Sequence, residues 1–174
     1  MRPGNAERNN YVRSHIEDAA MELFAEKELR DISIGEIVER AGVSRVSFYR
    51  NYEDKEAIVK SYISKLILGW HQENDERFTK AKLETGNDDV MLSSLFGFLK
   101  SHEQLFLILE KRNMFYLFKD AFLGLYGPKP EYPNAAAYAS AFAFNGICGW
   151  IEEWVHRGMQ ESEKEMAELL KALK

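Results

Sequence analysis

Arg45, Val46, Ser47, Tyr49 and Arg50 stand within a few residues of one another, and together they have the chemistry of a surface that reads nucleic acid. A guanidinium bonds guanine O6 and N7 bidentately, and a small apolar group touches a thymine methyl. Serine and tyrosine hydroxyls suit phosphate oxygens. Ser33 and Ser44, at the starts of two apolar-periodic segments, join the set. Lys55, in Glu53-Asp54-Lys55-Glu56 at the start of a further helix, is placed for a phosphate contact.

These side chains need a scaffold that turns them outward together. Ile34, Ile37, Val38 and Ala41 recur at i, i+3, i+4 and i+7, the face of an amphipathic helix, with Ser33 as its N-cap. Gly42 ends it, because the residue past a helix often needs positive φ. Val43 plugs the turn. Ser44 caps a second helix, which Phe48 and Tyr52 hold to the first. With those two inward, Val46, Ser47, Tyr49 and Arg50 face out, and Arg45 sits near the helix N-terminus, which meets base edges first. Helix, short turn and helix is the helix-turn-helix pattern. A plain helical hairpin with a solvated polar face satisfies the same spacing.

Composition narrows the alternatives. The chain has 174 residues, 45% of them hydrophobic, enough for one compact unit or two small subdomains. Net charge is −5, so any attraction to DNA must be local: Arg45, Arg50 and Lys55, joined by Arg8 and Arg13. The single cysteine, Cys148, excludes an intrachain disulfide and a cysteine-cluster zinc site. The first ten residues are polar, with no apolar core of a secretory signal, which predicts a cytoplasmic protein. The sequence holds no H-E-x-x-H, no G-x-S-x-G and no phosphate-cradling glycine loop, and its histidines (15, 71, 102, 156) are scattered. No catalytic residue, metal site or cofactor is expected.

In chain order, a polar arm, Met1 to Asn9, carries Arg2 and Arg8. A first helix is expected from Asn10 to Lys27, with Val12, Ile16, Ala19, Ala20, Leu23 and Phe24 buried. A long helix follows Asp54 through Ile58, Ile63, Ile67 and Trp70 to about Phe78. Thr85 to Asp89 is a polar turn, and Asp88-Asp89 read as helix-start acids rather than as a catalytic pair. Three helices rich in aromatics fill residues 90–126. They read either as core or as a cavity lined by Trp70, Phe98, His102, Phe106, Phe115, Phe118, Phe122 and Asn145. Gly127 to Pro133 is a proline-rich loop. Ala135 to Ile151 carries no formal charge, approaching the ~20 residues of a membrane span. Ser140, Asn145 and glycines interrupt it, so it reads as a buried helix. Its small residues Ala139, Ala143 and Gly146, the anchors Trp150 and Trp154, and Leu169 of a last helix starting at Ser162 fit a dimer interface. That last helix carries a stripe of Met166, Leu169, Leu170 and Leu173.

Residues Ile16 to Ile58 resemble the DNA-binding region of the tetracycline-repressor (TetR) family of one-component regulators. The matching residues are Ile16, Ala19-Ala20, Leu23-Phe24, Ser33, Ile37, Ala41-Gly42-Val43-Ser44, Phe48-Tyr49, Tyr52, Lys55-Glu56 and Ile58. The tail from Gly149-Trp150-Ile151 through Trp154, Arg157-Gly158-Met159 and Ser162 to Glu165-Met166 is similar to the C-terminal end of one branch of that family. One departure is Glu28, where the family usually has glycine. The resemblance implies an all-α fold of about nine helices: a helix-turn-helix domain over residues 1–53, then a helical ligand-binding and dimerisation domain over 54–174. It implies a homodimer on a palindromic double-stranded DNA operator, most simply a repressor released by a small apolar or aromatic molecule, with no membrane partner. The other implied reading is a coactivator or adaptor on the same fold, signalled by a partner protein.

Overall fold

The computed structural model describes residues 5–86 and 89–172. Arg2, Asp88 and Leu173 lie outside those residues. Among the described residues the protein is all-helical, with nine α-helices, one 3-10 turn and no strand. The chain divides into two compact units, the first ending at Lys65 and the second starting at Leu66.

The first unit contains α1 (Asn5–Glu26), the 3-10 turn (Leu29–Asp31), α2 (Ile34–Ala41), α3 (Arg45–Asn51) and the start of α4 (Lys55–Thr85). α1 begins earlier than Asn10, so the expected polar arm is helical from Asn5 onward. Ala6, Glu7 and Arg8 explain this: none breaks a helix, and an acid in the first turn favours one. Ile16, Ala19, Ala20, Leu23 and Phe24 are all buried. Glu28 has φ −60° and ψ 141°, extended backbone that any residue adopts, so this corner has no need of glycine. The 3-10 turn that follows was not expected. Its carbonyls are gathered by Lys55, whose Nζ donates to Leu29 O at 2.6 Å, Ile32 O at 2.7 Å and Arg30 O at 3.3 Å.

α2 starts with a full capping box: Ser33 Oγ accepts from the Glu36 N–H, and the Glu36 carboxylate accepts from the Ser33 N–H. It ends at Gly42, whose φ of 64° and ψ of 31° are left-handed, as the turn requires. Ser44 caps α3, its Oγ accepting from the Ser47 N–H at 3.1 Å. Phe48 and Tyr52 are buried, as their spacing implies.

The second unit takes the rest of α4 with α5 (Asp89–Ser101), α6 (Glu103–Lys111), α7 (Tyr116–Tyr126), α8 (Asn134–His156) and α9 (Glu163–Lys171). Three helices do fill residues 90–126, broken at His102 and at Asn113 (φ 55°). α4 runs past Phe78 to Thr85, and Asp89 lies in the first turn of α5. α5 packs on α9, while α6 and α7 pack on α8. α8 is not buried on all sides. Phe144, Cys148, Ile151, Trp154 and Val155 turn inward, whereas Tyr138 and Phe142 are exposed. Among the described residues no helix is long and apolar enough to cross a membrane.

Candidate nucleic-acid interface

Phe48 fixes the orientation of α3. Its ring is fully buried and meets Tyr49 edge-on at 5.4 Å and Tyr52 at 6.3 Å. Two residues before that anchor and one after it, the helix faces water. Val46 is 68% and Tyr49 61% exposed, and Arg45 and Arg50 are exposed too. Among the described residues neither guanidinium has an internal hydrogen-bond or ion-pair partner. Ser44 Oγ and Ser47 Oγ are hydrogen-bonded to each other at 3.0 Å, and Asn51 Nδ2 donates to Ser47 O at 2.8 Å. Arg45 leans on the start of α2: a Cβ on Gly35 would lie 3.2 Å from its Nη2.

The remaining members of the expected DNA-binding set are committed elsewhere. Ser33 is exposed, but its oxygen serves the α2 cap. Glu36 completes that cap and pairs with Lys27. The Lys27 hydrogen bond, then those from Ser33, lower the Glu36 carboxyl to about 2. Lys55 does not project as a free cation, because its ammonium is spent on the 3-10 turn. Arg13, expected near phosphate, instead lies over the Tyr52 ring at 4.9 Å and donates to Ser61 Oγ at 2.9 Å. Sequence reasoning missed Glu17, a carboxylate 1% exposed between α1, the end of α3 and α4. Its signal was present: a charged residue on the α1 face that buries Ile16 and Ala20 is unusual.

In the second unit the expected ligand residues split. Trp70 Nε1 donates to Ser94 Oγ at 3.1 Å, and its ring stacks on Phe98 at 5.5 Å. His102 lies on Phe98 at 4.8 Å, with Nδ1 2.9 Å from Phe98 O. Phe106 and Phe115 both meet Phe118, which stacks on Phe122 at 5.4 Å. Asn145 does not join them. It is exposed and donates to Ala141 O at 2.8 Å, because Phe144 takes the inward place beside it. Near Trp70, Tyr126 OH and His71 Nδ1 share a hydrogen bond of 2.6 Å, and burial, aided by Asp75, pushes the phenol up to about 12.

The expected interface residues also split. Ala139, Ala143 and Gly146 are exposed along one face of α8 with Tyr138 and Phe142. Trp150 is half-buried. Trp154 is no interface anchor: it is buried and meets Phe96 edge-on at 5.8 Å, inside the unit. Leu169 is exposed on α9, while Met166 and Ala167 turn inward.

Two sequence-family models match this chain. "Bacterial regulatory proteins, tetR family" matches residues 16–62, and "Transcriptional regulator C-terminal region" matches residues 91–173. The chain belongs to the TetR family. The first match spans the capped helices of the helix-turn-helix and the exposed α3 face. This TetR-family chain is 27% identical over 111 residues to the uncharacterized HTH-type transcriptional regulator YxbF of Bacillus subtilis, covering 63% of the chain and 29% of that protein. It is 43% identical over 44 residues to the putative mycofactocin biosynthesis transcriptional regulator MftR of Mycobacterium tuberculosis, covering 25% of the chain and 22% of that protein. The chain thus spans less than a third of the length of these curated relatives. Among solved structures it is similar to the fatty acid degradation regulator FadR from Bacillus halodurans, at a TM-score of 0.60 and 15% identity over 99% of this chain and 96% of that one. A TetR transcriptional regulator from Streptococcus agalactiae matches at 0.58 and 16%, over 94% and 93%. These two establish the fold.

Proposed function

We propose that the protein is a homodimeric repressor that holds a palindromic operator with Arg45, Val46, Tyr49 and Arg50 of α3, and that a small apolar or aromatic molecule releases it. The observation that carries the DNA half is the outward α3 face, which combines two unpaired guanidinium groups with an exposed valine and tyrosine. Two copies related by a twofold axis would present two such faces to two half-sites, one DNA turn or a multiple apart. The residues supporting an effector are the rings around Trp70, Phe98 and Phe118, with Ser94, His71 and Tyr126 as the polar groups among them. A molecule binding there acts only through its preference for one arrangement of the reading heads, and DNA then weakens its binding by the same factor. One observation favours the second reading. The rings of Phe106, Phe118, Phe122 and Phe144 already fill one another's surroundings. On that reading the signal comes from a partner protein.

The test is selection from a random double-stranded DNA pool, run beside Arg45→Ala/Tyr49→Ala. Enrichment of a palindrome by the unaltered protein alone is the expected result. The enriched duplex then reports release by a panel of apolar and aromatic compounds. No enrichment at low salt, where phosphate contacts are strongest, would overturn the stand-alone repressor. Enrichment without release by any compound would favour the partner-protein reading.

A further inference from the structure

We propose that Glu17 is a positioning residue for DNA reading: its buried carboxylate fixes the end of the recognition helix to α1 and to the start of α4. Three side chains donate to it, and a fourth holds two of those three. Tyr52 OH donates to Oε1 at 2.5 Å, Ser61 Oγ donates to the same oxygen at 2.7 Å, and Lys65 Nζ donates to Oε2 at 2.5 Å. Arg13 closes the group, donating to Ser61 Oγ at 2.9 Å while its guanidinium lies over the Tyr52 ring.

The direction of each bond is determined. The arginine has only protons to give, so Ser61 accepts from it and passes its own proton to Glu17. The Tyr52 phenol has one proton, and it points at the same acid. Lysine and arginine can only donate and a carboxylate can only accept, so the hydrogen bonds of the cluster have one arrangement. Burial and the Glu17 hydrogen bond both raise the Tyr52 phenol, which keeps it a donor.

Tyr52 is where this acts on α3. It is the helix's C-cap, its N–H donating to Phe48 O at 3.0 Å. Ser44 sets one end of α3 by a local cap. Tyr52 sets the other end by reaching into α1 and α4. Between those two points lie Arg45, Val46, Tyr49 and Arg50. A buried carboxylate paired with an exposed lysine is weak evidence for stability, since apolar side chains of similar volume are often as stable or more so. A single allowed geometry is its distinguishing product, and base reading needs that more than phosphate contact does.

The inference does not depend on an effector or on the sign of regulation. Its test compares the unaltered protein with Tyr52→Phe, Glu17→Gln and Glu17→Leu/Tyr52→Phe. Affinities are read by anisotropy for the selected duplex and a scrambled one, together with thermal midpoints. The double variant is expected to match or exceed the midpoint of the unaltered protein. It should lose about tenfold in affinity for the selected duplex, the scale of a positional coupling, and stay within about twofold on the scrambled one. Glu17→Gln keeps an oxygen for Tyr52 and should recover part of the loss. A folded double variant with an unchanged ratio of the two affinities overturns the proposal. Tyr52→Phe alone decides the matter in the same way if the double variant does not fold. Amide exchange at Tyr52 needs no operator, so it separates this proposal from the operator reading. Exchange about tenfold faster in Tyr52→Phe, at unchanged global stability, is expected, and unchanged protection would overturn it.

Discussion

At the scale of single residues, the question is which cations are available to DNA and which hold the protein together. Arg45 and Arg50 are available, whereas Lys55 is not, although position alone suggested a phosphate contact. The structure separates the two roles because three backbone carbonyls of a turn more than twenty residues earlier converge on the Lys55 ammonium. Lys55→Met keeps the stem and removes all three donors. It should cost about 1–3 kcal/mol of stability, the range for charged hydrogen bonds left unmade, read by urea denaturation. The salt slope of DNA binding should not change, whereas loss of a phosphate contact would lower that slope by about one. A second residue-scale test is Gly35→Ala. The new Cβ would press the tip of the Arg45 guanidinium at 3.2 Å, and that tip is flexible enough to shift. Alanine in place of glycine within a helix is worth up to about 1 kcal/mol. The variant should therefore melt higher while binding the selected duplex differently from the unaltered protein. A higher midpoint with identical sequence preference would show that Arg45 does not read bases from its place beside Gly35.

At the scale of elements, the short helices stand on local caps, and these were legible in the sequence. Ser33, Gly42, Ser44 and the Ser162–Glu165 box all hold the ends they announce, because a cap requires only residues within one turn of each other. The reach of the Glu36 carboxyl makes a pH prediction. Its folded value near 2 lies below the ordinary value of 4.5, so its contribution is fully present above the ordinary value. That contribution fades as pH falls from there towards 2. Acid titration of Glu36→Gln should therefore show a weaker loss of α2 helicity over that window than the unaltered protein, and equal losses would assign the acid sensitivity elsewhere. What was not legible depended on distant partners. The 3-10 turn at Leu29 is too short to carry a periodic signal and depends on Lys55. The inward turn of Arg13 needs Tyr52 and Ser61, and the Glu17 cluster joins residues 44 and 48 positions apart. Asn145 and Trp154 were misassigned for a related reason. In α8 the uncharged run around Asn145 and the large ring of Trp154 just beyond it do not say which face is inward, and only packing decides it. The start of α1 at Asn5 is not legible because residues 5–10 carry no apolar period.

At the scale of the whole molecule, the outer face of α8 is where the proposed twofold assembly is tested. Tyr138 is 74% and Phe142 84% exposed, and the residues beside them on that face are Ala139, Ala143 and Gly146. Two large rings among small side chains make a self-complementary surface possible: each ring can lie over the partner's small residues, and an isologous contact repeats the match twice. A stable interface of this kind covers roughly 1,200–2,000 Å², with its aromatic anchors near the centre. In the proposed seam Phe142→Glu puts a like charge from each copy, and an exposed position in the isolated chain gives no reason for the fold itself to suffer. Sedimentation should therefore show a monomer with unchanged helicity. Binding to a half-site duplex should persist at the weak affinity of one reading head, while affinity for the full palindrome falls by about 10²-fold or more, because the second head loses the effective concentration that linkage supplies. A Phe142→Glu protein that remains dimeric and holds the palindrome unchanged would move the dimer contact off this face, with exposed Leu169 of α9 as the next place to substitute.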